Sequence, residues 1–274
     1  MRRALVLGGG GPLGVGWEAG FLAGLADAGV ELADADLVIG TSAGSIVGAQ
    51  LTSGRPLADL VASVSEAPPW ASDGAGGEAQ DLGEMLAARA GGATVSEADW
   101  VAHFDYLGGV DWPERFRCTA FDLEAGQFAL WDRAAGVDLP RAVASSCTVP
   151  GLAPPVTIAD GHYIDGGARD MLNADLAVGH DVVVALSCMA LEPPDGAVPE
   201  LLAGLLPAVR RRIDDLRATG STVEVVEPSE AFLELSGWGR WLMAVSRTAD
   251  AFVAGFHQGE AAAAHIGPLW SEVA

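Results

Sequence analysis

The chain contains no lysine. Its fifteen basic residues are all arginine, set against thirty-seven aspartates and glutamates, which leaves a formal net charge of -22 over 274 residues. So acidic a surface repels phosphate backbones and anionic lipid, which excludes nucleic acid as a partner and leaves at most transient contact with a membrane. Cysteine is scarce as well. Cys118, Cys147 and Cys188 are odd in number and lack ligand spacing, so they exclude a disulfide framework and a zinc site and fit buried thiols in a reducing compartment. No apolar run reaches membrane-spanning length, because Glu18 and Asp27 interrupt the first one. The apolar tetrad after Arg2 and Arg3 runs into glycine before a signal-peptide core develops, so the expected location is the cytoplasm.

Half of the residues are hydrophobic, enough to bury a large core, and the expectation is one domain over residues 1–274, with about 55–112 as a variable lid or insert. Ala4 to Leu7 reads as a buried strand ending in glycines, and Trp17 to Ala28 as a helix closed by Gly29. Leu37 to Ile39 repeats the strand signal, and Ser45 to Leu51 the helical one. This strand-helix-strand-helix opening predicts an α/β fold: three layers, α/β/α, around a mostly parallel sheet. Further strands are expected at Phe116 to Asp122, Gln127 to Trp131, Tyr163 to Ile164, Val182 to Ser187 and Val223 to Val226. Helices are expected at Asp81 to Ala90, along the stripe Leu202, Leu205, Val209, Ile213 and Leu216, and from Thr248 to His265. Glu66 to Gln80, with Trp70 embedded, reads as a loop or lid edge. Arg210, Arg211 and Arg212, the single basic cluster, read as a solvated helix face.

Three motifs carry chemistry. Gly40-Thr41-Ser42-Ala43-Gly44 matches G-x-S-x-G between an apolar strand and a helix, the context in which a sharp turn presents a serine hydroxyl to substrate. Gly8 to Gly11 with Gly14 follow the first strand, where successive glycines turn backbone N-H groups toward one point and can bind an oxyanion. Tyr163-Ile164-Asp165-Gly166-Gly167 places an acid at a strand end before two glycines; taken alone it is an ordinary turn.

Other readings stand beside this one. Gly9, Gly11 and Gly14 satisfy a dinucleotide fingerprint, with Asp34 or Asp36 about twenty residues on as the ribose acid. Against it, the next strand ends in a serine elbow, not in an acid. A Ser-His-Asp esterase would use His257 or His265, although an elbow near residue 42 leaves room for one strand before the nucleophile strand where that fold needs several. An acyl-lipid scaffold without activity is a third reading. A histidine base would switch off through about pH 6 to 7, whereas an ordinary carboxylate would work lower.

The glycine-rich loop, the G-x-S-x-G some thirty residues later and the distant D-G-G together resemble the patatin-like phospholipase family, and Ala144-Ser145-Ser146 with Pro150 and Asn173-Ala174-Asp175 are similar to segments flanking the family's catalytic aspartate. The resemblance implies a lipid acyl hydrolase with Ser42 as nucleophile and Asp165 as base in a Ser-Asp dyad. It implies Gly9, Gly10 and Gly11 as the oxyanion hole, with Gly14, Gly40, Gly44, Gly166 and Gly167 supporting the turns, and neither metal nor cofactor. The family loop commonly carries Arg or Lys before its last glycine, where this sequence has Leu13. With no cation there, the expected substrate is a neutral ester in preference to an anionic lipid.

Overall fold

The computed structural model describes residues 1–65, 92 and 95–271. The strands are β1 (Arg3–Leu7), β2 (Leu37–Gly40), β3 (Phe116–Asp122), β4 (Gln127–Trp131), β5 (Val156–Ile158), β6 (Gly161–Asp165), β7 (Val182–Leu186) and β8 (Thr222–Val226). The principal helices are α1 (Gly11–Asp27), α2 (Ala43–Thr52), α3 (Ala58–Ser65), α4 (Glu97–Ala102), α5 (Leu139–Ser146), α6 (Glu200–Ala203), α7 (Leu206–Ala218), α8 (Glu230–Leu235) and α9 (Thr248–Ser271). The loop expected at 66–80 and the helix expected at 81–90 lie outside the described residues. All seven expected strands form, within a residue or two of their predicted ends. β5 and α5 carry no strong periodic signal of their own and appear only in the folded chain.

The strands make one mixed sheet with helices on both faces, the expected α/β/α arrangement. β8, β7, β1, β2 and β3 run parallel in that spatial order. β1 and β7 are buried along almost their whole length, which is why they read as continuous apolar runs.

β3 branches the sheet. β4 pairs antiparallel with it from Cys118 to Asp122 and so occupies one edge throughout. On the other edge β2 pairs parallel with the first half, ending at Gly40 opposite Cys118. β6 pairs antiparallel with the second half, ending at Asp165 opposite Ala120. Cys118 and Ala120 each pair with β4 as well, so β2 and β6 must share the same edge of β3 and run toward one another. Their ends meet across Thr119.

α1 is buried on nearly every side, between α2 and the long C-terminal α9. Its Gly16, Gly20 and Gly24 meet the α9 backbone at Thr248, Phe252 and Phe256, and Gly255 and Gly259 of α9 meet the α1 backbone at Trp17 and Phe21. A Cβ on Gly20 would stand 2.0 Å from the Phe252 carbonyl oxygen, and one on Gly259 2.2 Å from that of Phe21. This packing fixes α1, and with it the glycine loop at its start. Gly20→Ala is therefore expected to destabilise the fold by about 1 to 3 kcal/mol through overpacking, lowering Tm in a thermal melt by several degrees. Gly204→Ala, whose added methyl finds nothing nearer than 3.5 Å, is the matched control and leaves Tm unchanged.

Candidate functional site

The glycine segment is shorter than its sequence suggests. β1 ends at Leu7, Gly8 to Gly10 form the loop, and α1 starts at Gly11, which adopts a left-handed φ of 57°. The Gly8 N-H is shared between the Leu186 carbonyl (3.1 Å) and Oε1 of the fully buried Glu18 (2.8 Å). Burial pushes the Glu18 carboxyl well above its usual range, against the Gly8 hydrogen bond that lowers it. The Gly9 N-H donates to the Met171 carbonyl at 2.7 Å. Gly9 is therefore a correction to the expected oxyanion set, because its donor is already committed. Among the described residues the Gly10 and Gly11 N-H groups meet no acceptor, and both residues line the cavity described below.

β2 ends at Gly40, and α2 starts one residue past Ser42. Ser42 sits at φ 53° and ψ -117°, a conformation that costs a non-glycine residue about 1 to 3 kcal/mol. The surroundings hold it there. The Ser42 N-H donates to Ser146 Oγ at 2.9 Å, and its carbonyl accepts from the Ser45 N-H (2.8 Å) and Ser45 Oγ (2.6 Å). The two motif glycines answer to close approach: a Cβ on Gly40 would lie 2.4 Å from the Gly44 oxygen, and one on Gly44 2.3 Å from the Leu7 oxygen. Gly14 is similarly confined, between Cys188 Sγ and Ala43.

Asp165 ends β6 with its Oδ1 accepting the Gly167 N-H at 2.7 Å. Gly166 is required because Thr119 Oγ1 would stand 2.1 Å from any Cβ there; a Cβ on Gly167 would press on Met171 and on Asp165 itself. Ser42 and Asp165 are each 8% exposed. Burial raises the Asp165 pKa to about 6, opposed by hydrogen bonds from the Gly167 N-H and the Ser42 hydroxyl. The hydroxyl of the elbow thus stands close enough to the carboxylate of the D-G-G to lower its pKa.

Both side chains open into a cavity of about 450 Å³ with Gly10 and Gly11 at the same end. The N-termini of α1 and α2 both meet it there, adding the positive ends of two helix dipoles. The far walls are apolar, from Ile46, Phe104, Leu152, Leu202, Leu205 and Leu242. Among the described residues no arginine lines it. Leu13 does not line it either: its side chain is 0% exposed within the core, so position 13 presents nothing to a substrate, and the absent cation has no bearing on head-group contact here.

Cys147 lines the cavity beside Ser42, but burial and the Asp165 charge push its thiol well up, so no thiolate competes as nucleophile.

His257 and His265 are 73% and 65% exposed on α9, paired with Glu260 and Glu224, and neither lines the cavity. The histidine that does line it is His103, which carried no sequence signal. The acids of the dinucleotide reading are occupied elsewhere. Asp34 binds Arg3 and Trp270 Nε1, and Asp36 accepts the Arg3 N-H, at the opposite end of β1 and β2 from the glycine loop.

The arginine cluster is a partial correction. Arg211 is exposed, but Arg212 reaches inward to the buried Asp170 (2.8 Å) and to Asp175 (3.8 Å), and Arg169 chelates Asp175 from the other side (2.6 Å). These pairs brace the segment that follows the D-G-G. The signal available in sequence was the triplet of acids at 165, 170 and 175; nothing in it named the partner helix.

A mixed α/β/α sheet that brings a serine elbow, a glycine loop and a strand-end aspartate to one cavity defines a class of fold and site. The chain belongs to the patatin-like phospholipase family, whose sequence profile matches residues 5–178, more than half of its length. Membership makes it an ester-hydrolysing enzyme of the lipid hydrolase class. A comparison with curated proteins finds no match. Among solved structures it is similar to VipD from Legionella pneumophila, at 12% identity and a TM-score of 0.50 over 95% of this chain and 67% of that one. It is also similar to the type III effector protein ExoU, at 15% identity and a TM-score of 0.37 over 94% of this chain and 53% of that one. At 12% identity, the likeness to VipD extends to the fold.

Asp165 folds at a cost. Its folded pKa of about 6 lies above that of an ordinary solvated aspartate, so stability is fully present below about pH 4 and falls as the pH rises through 6. Asp165→Asn keeps the acceptor for Gly167 and removes the buried charge. Its Tm at pH 7.5 is expected to exceed the parent's by a few degrees, with the gap closing between pH 6 and pH 4 in calorimetry.

Proposed function

We propose that the protein cleaves carboxylic esters of lipids through a Ser42–Asp165 dyad and an acyl-enzyme. The observation that carries this reading is the Ser42 hydroxyl beside a buried carboxylate in one apolar cavity that also holds uncommitted backbone N-H groups. Asp165 takes the proton as Ser42 Oγ bonds to the ester carbonyl carbon, and the carbonyl electron pair moves onto oxygen. The resulting oxyanion is held by the Gly10 and Gly11 N-H groups, joined by that of Ala43, the residue after the nucleophile. Collapse expels the alcohol with that proton. Water then attacks the acyl-enzyme with Asp165 again as base, releasing the fatty acid and restoring the hydroxyl.

Raising the pKa of Asp165 toward 6 makes it a better proton acceptor than a solvated aspartate. Apolar walls and the lack of any lining arginine among the described residues favour an uncharged acyl ester over an anionic phospholipid, as does the net charge of -22. An acyl chain lies along the far walls with its carbonyl at Ser42.

Ser42→Ala is expected to reduce hydrolysis of p-nitrophenyl butyrate to the uncatalysed rate; retained turnover would remove Ser42 as nucleophile. The carboxylate is the active form, so kcat/KM falls as the pH drops through about 6. Because burial moves Asp165 into the histidine range, the pH limb alone does not separate a carboxylate base from an imidazole one. His103→Gln does. The dyad predicts that the limb survives this substitution, and its disappearance would assign the base to His103. A neutral monoacyl ester is expected to turn over faster than phosphatidylserine or cardiolipin vesicles at low salt; strong adsorption to those vesicles contradicts the charge argument.

A further inference from the structure

β2 and β6 are not paired with each other, so their registers on β3 fix the two strand ends while no backbone bond joins one end to the other. They meet end to end along one edge of β3, with Gly40 at Cys118 and Asp165 at Ala120. The residue just past the first end is Thr41, the residue just past the second is Gly166, and the β3 residue between the two registers is Thr119. A cluster of side-chain bonds joins all three. Thr119 Oγ1 and Asn173 Nδ2 both donate to Thr41 Oγ1, each at 3.0 Å. Nδ2 also reaches the carbonyls of Gly166 (3.4 Å) and Asp170 (2.6 Å), while Asn173 Oδ1 accepts from Arg169 at 2.6 Å.

Asn173 is the single asparagine of the chain and is fully buried. It sits at a left-handed φ of 56°, a conformation tolerated by asparagine better than by almost any other residue with a side chain. Its own N-H is held by Asp170 Oδ1 at 2.7 Å, and Asp170 is in turn paired with Arg212. The asparagine is thus locked on its far side by the ionic brace and reaches with its amide into the gap between the two strand ends.

We propose that Asn173 and Thr41 are positioning residues: the Asn173 amide, through the Thr41 hydroxyl and the Gly166 carbonyl, sets the Ser42-to-Asp165 spacing on which proton transfer depends. Neither touches the substrate. The inference rests on the dyad reading of the site. Proton transfer requires hydrogen-bond reach, and a misplacement of about 1 Å costs on the order of a hundredfold in rate.

The test compares Asn173→Ala, Thr41→Val and Thr41→Ser with Ser42→Ala in the full chain, using p-nitrophenyl butyrate and following folded fraction by circular dichroism. Thr41→Val keeps the shape and removes the hydroxyl; Thr41→Ser keeps the hydroxyl. Expected are a fall in kcat of roughly 10- to 100-fold for Asn173→Ala and for Thr41→Val, with KM within about twofold and recovery to near the parental kcat in Thr41→Ser. The double variant is expected to be little worse than either single one, since both break one linkage.

The acid limb supplies a readout that lost stability does not move. The Ser42 hydroxyl is one of the groups that lower the Asp165 pKa, so separating the pair shifts the limb to higher pH. The other groups facing Asp165 are the Gly167 N-H, the thiols of Cys118 on β3 and Cys147 past α5, and His103 across the cavity, all left in place by these variants. Unchanged kcat and limb in folded Thr41→Val overturn the proposal, as does a loss of rate that tracks folded fraction alone. If Asn173→Ala fails to fold, the Thr41 pair decides. Retained activity in Ser42→Ala would instead sink the dyad reading itself, so the two failures are distinguishable.

Discussion

The proposed site depends on two strands that run head-on into one another along the same edge of β3. A continuous ladder would have fixed the spacing of their side chains through backbone bonds; here the ladder stops two β3 residues apart, and side chains must bridge the break. That requirement explains several residues at once. Gly166 lacks a side chain because Thr119 fills its space, Thr41 carries a hydroxyl because it is the acceptor at the junction, and Asn173 takes a left-handed backbone to bring its amide there.

The same junction collects unfavourable features whose costs are met elsewhere. Ser42 is strained, Asp165 is buried in an apolar site, and Glu18 is sealed beneath the glycine loop with its carboxyl fully buried. Each disfavours the folded state. Against them stand the buried central strands and the close packing of α1 on α9, where glycines on each helix let the other's backbone approach. A rigid α1 matters for another reason: the Gly10 and Gly11 N-H groups stand at its start, so their aim is set by packing at Gly16, Gly20 and Gly24, further along the same helix.

For the proposed dyad, electrostatics explains why a carboxylate can serve where a histidine is commoner. Burial lifts Asp165 toward neutrality, and two helix N-termini favour negative charge at the same end of the cavity. The acidic surface belongs to a different scale and bears on which lipid aggregates the molecule approaches, not on the reaction.

The amino-acid sequence by itself determined the parts whose physics is local. Apolar runs named the strands, the glycines at 40 and 44 named the elbow, and Asp165 was legible from its position at a strand end before two glycines. What only the tertiary structure decided was which donors and partners are free. Gly9 looks equivalent to Gly10 along the chain, yet its N-H is taken by Met171, a residue 162 positions away. Leu13 falls in a loop by motif but faces the core by packing, and Arg212 leaves its basic neighbours to hold Asp170. The meeting of β2 with β6 had no sequence signature at all, because strand order and edge are set by long-range pairing, and periodicity reports only which face of a strand is buried.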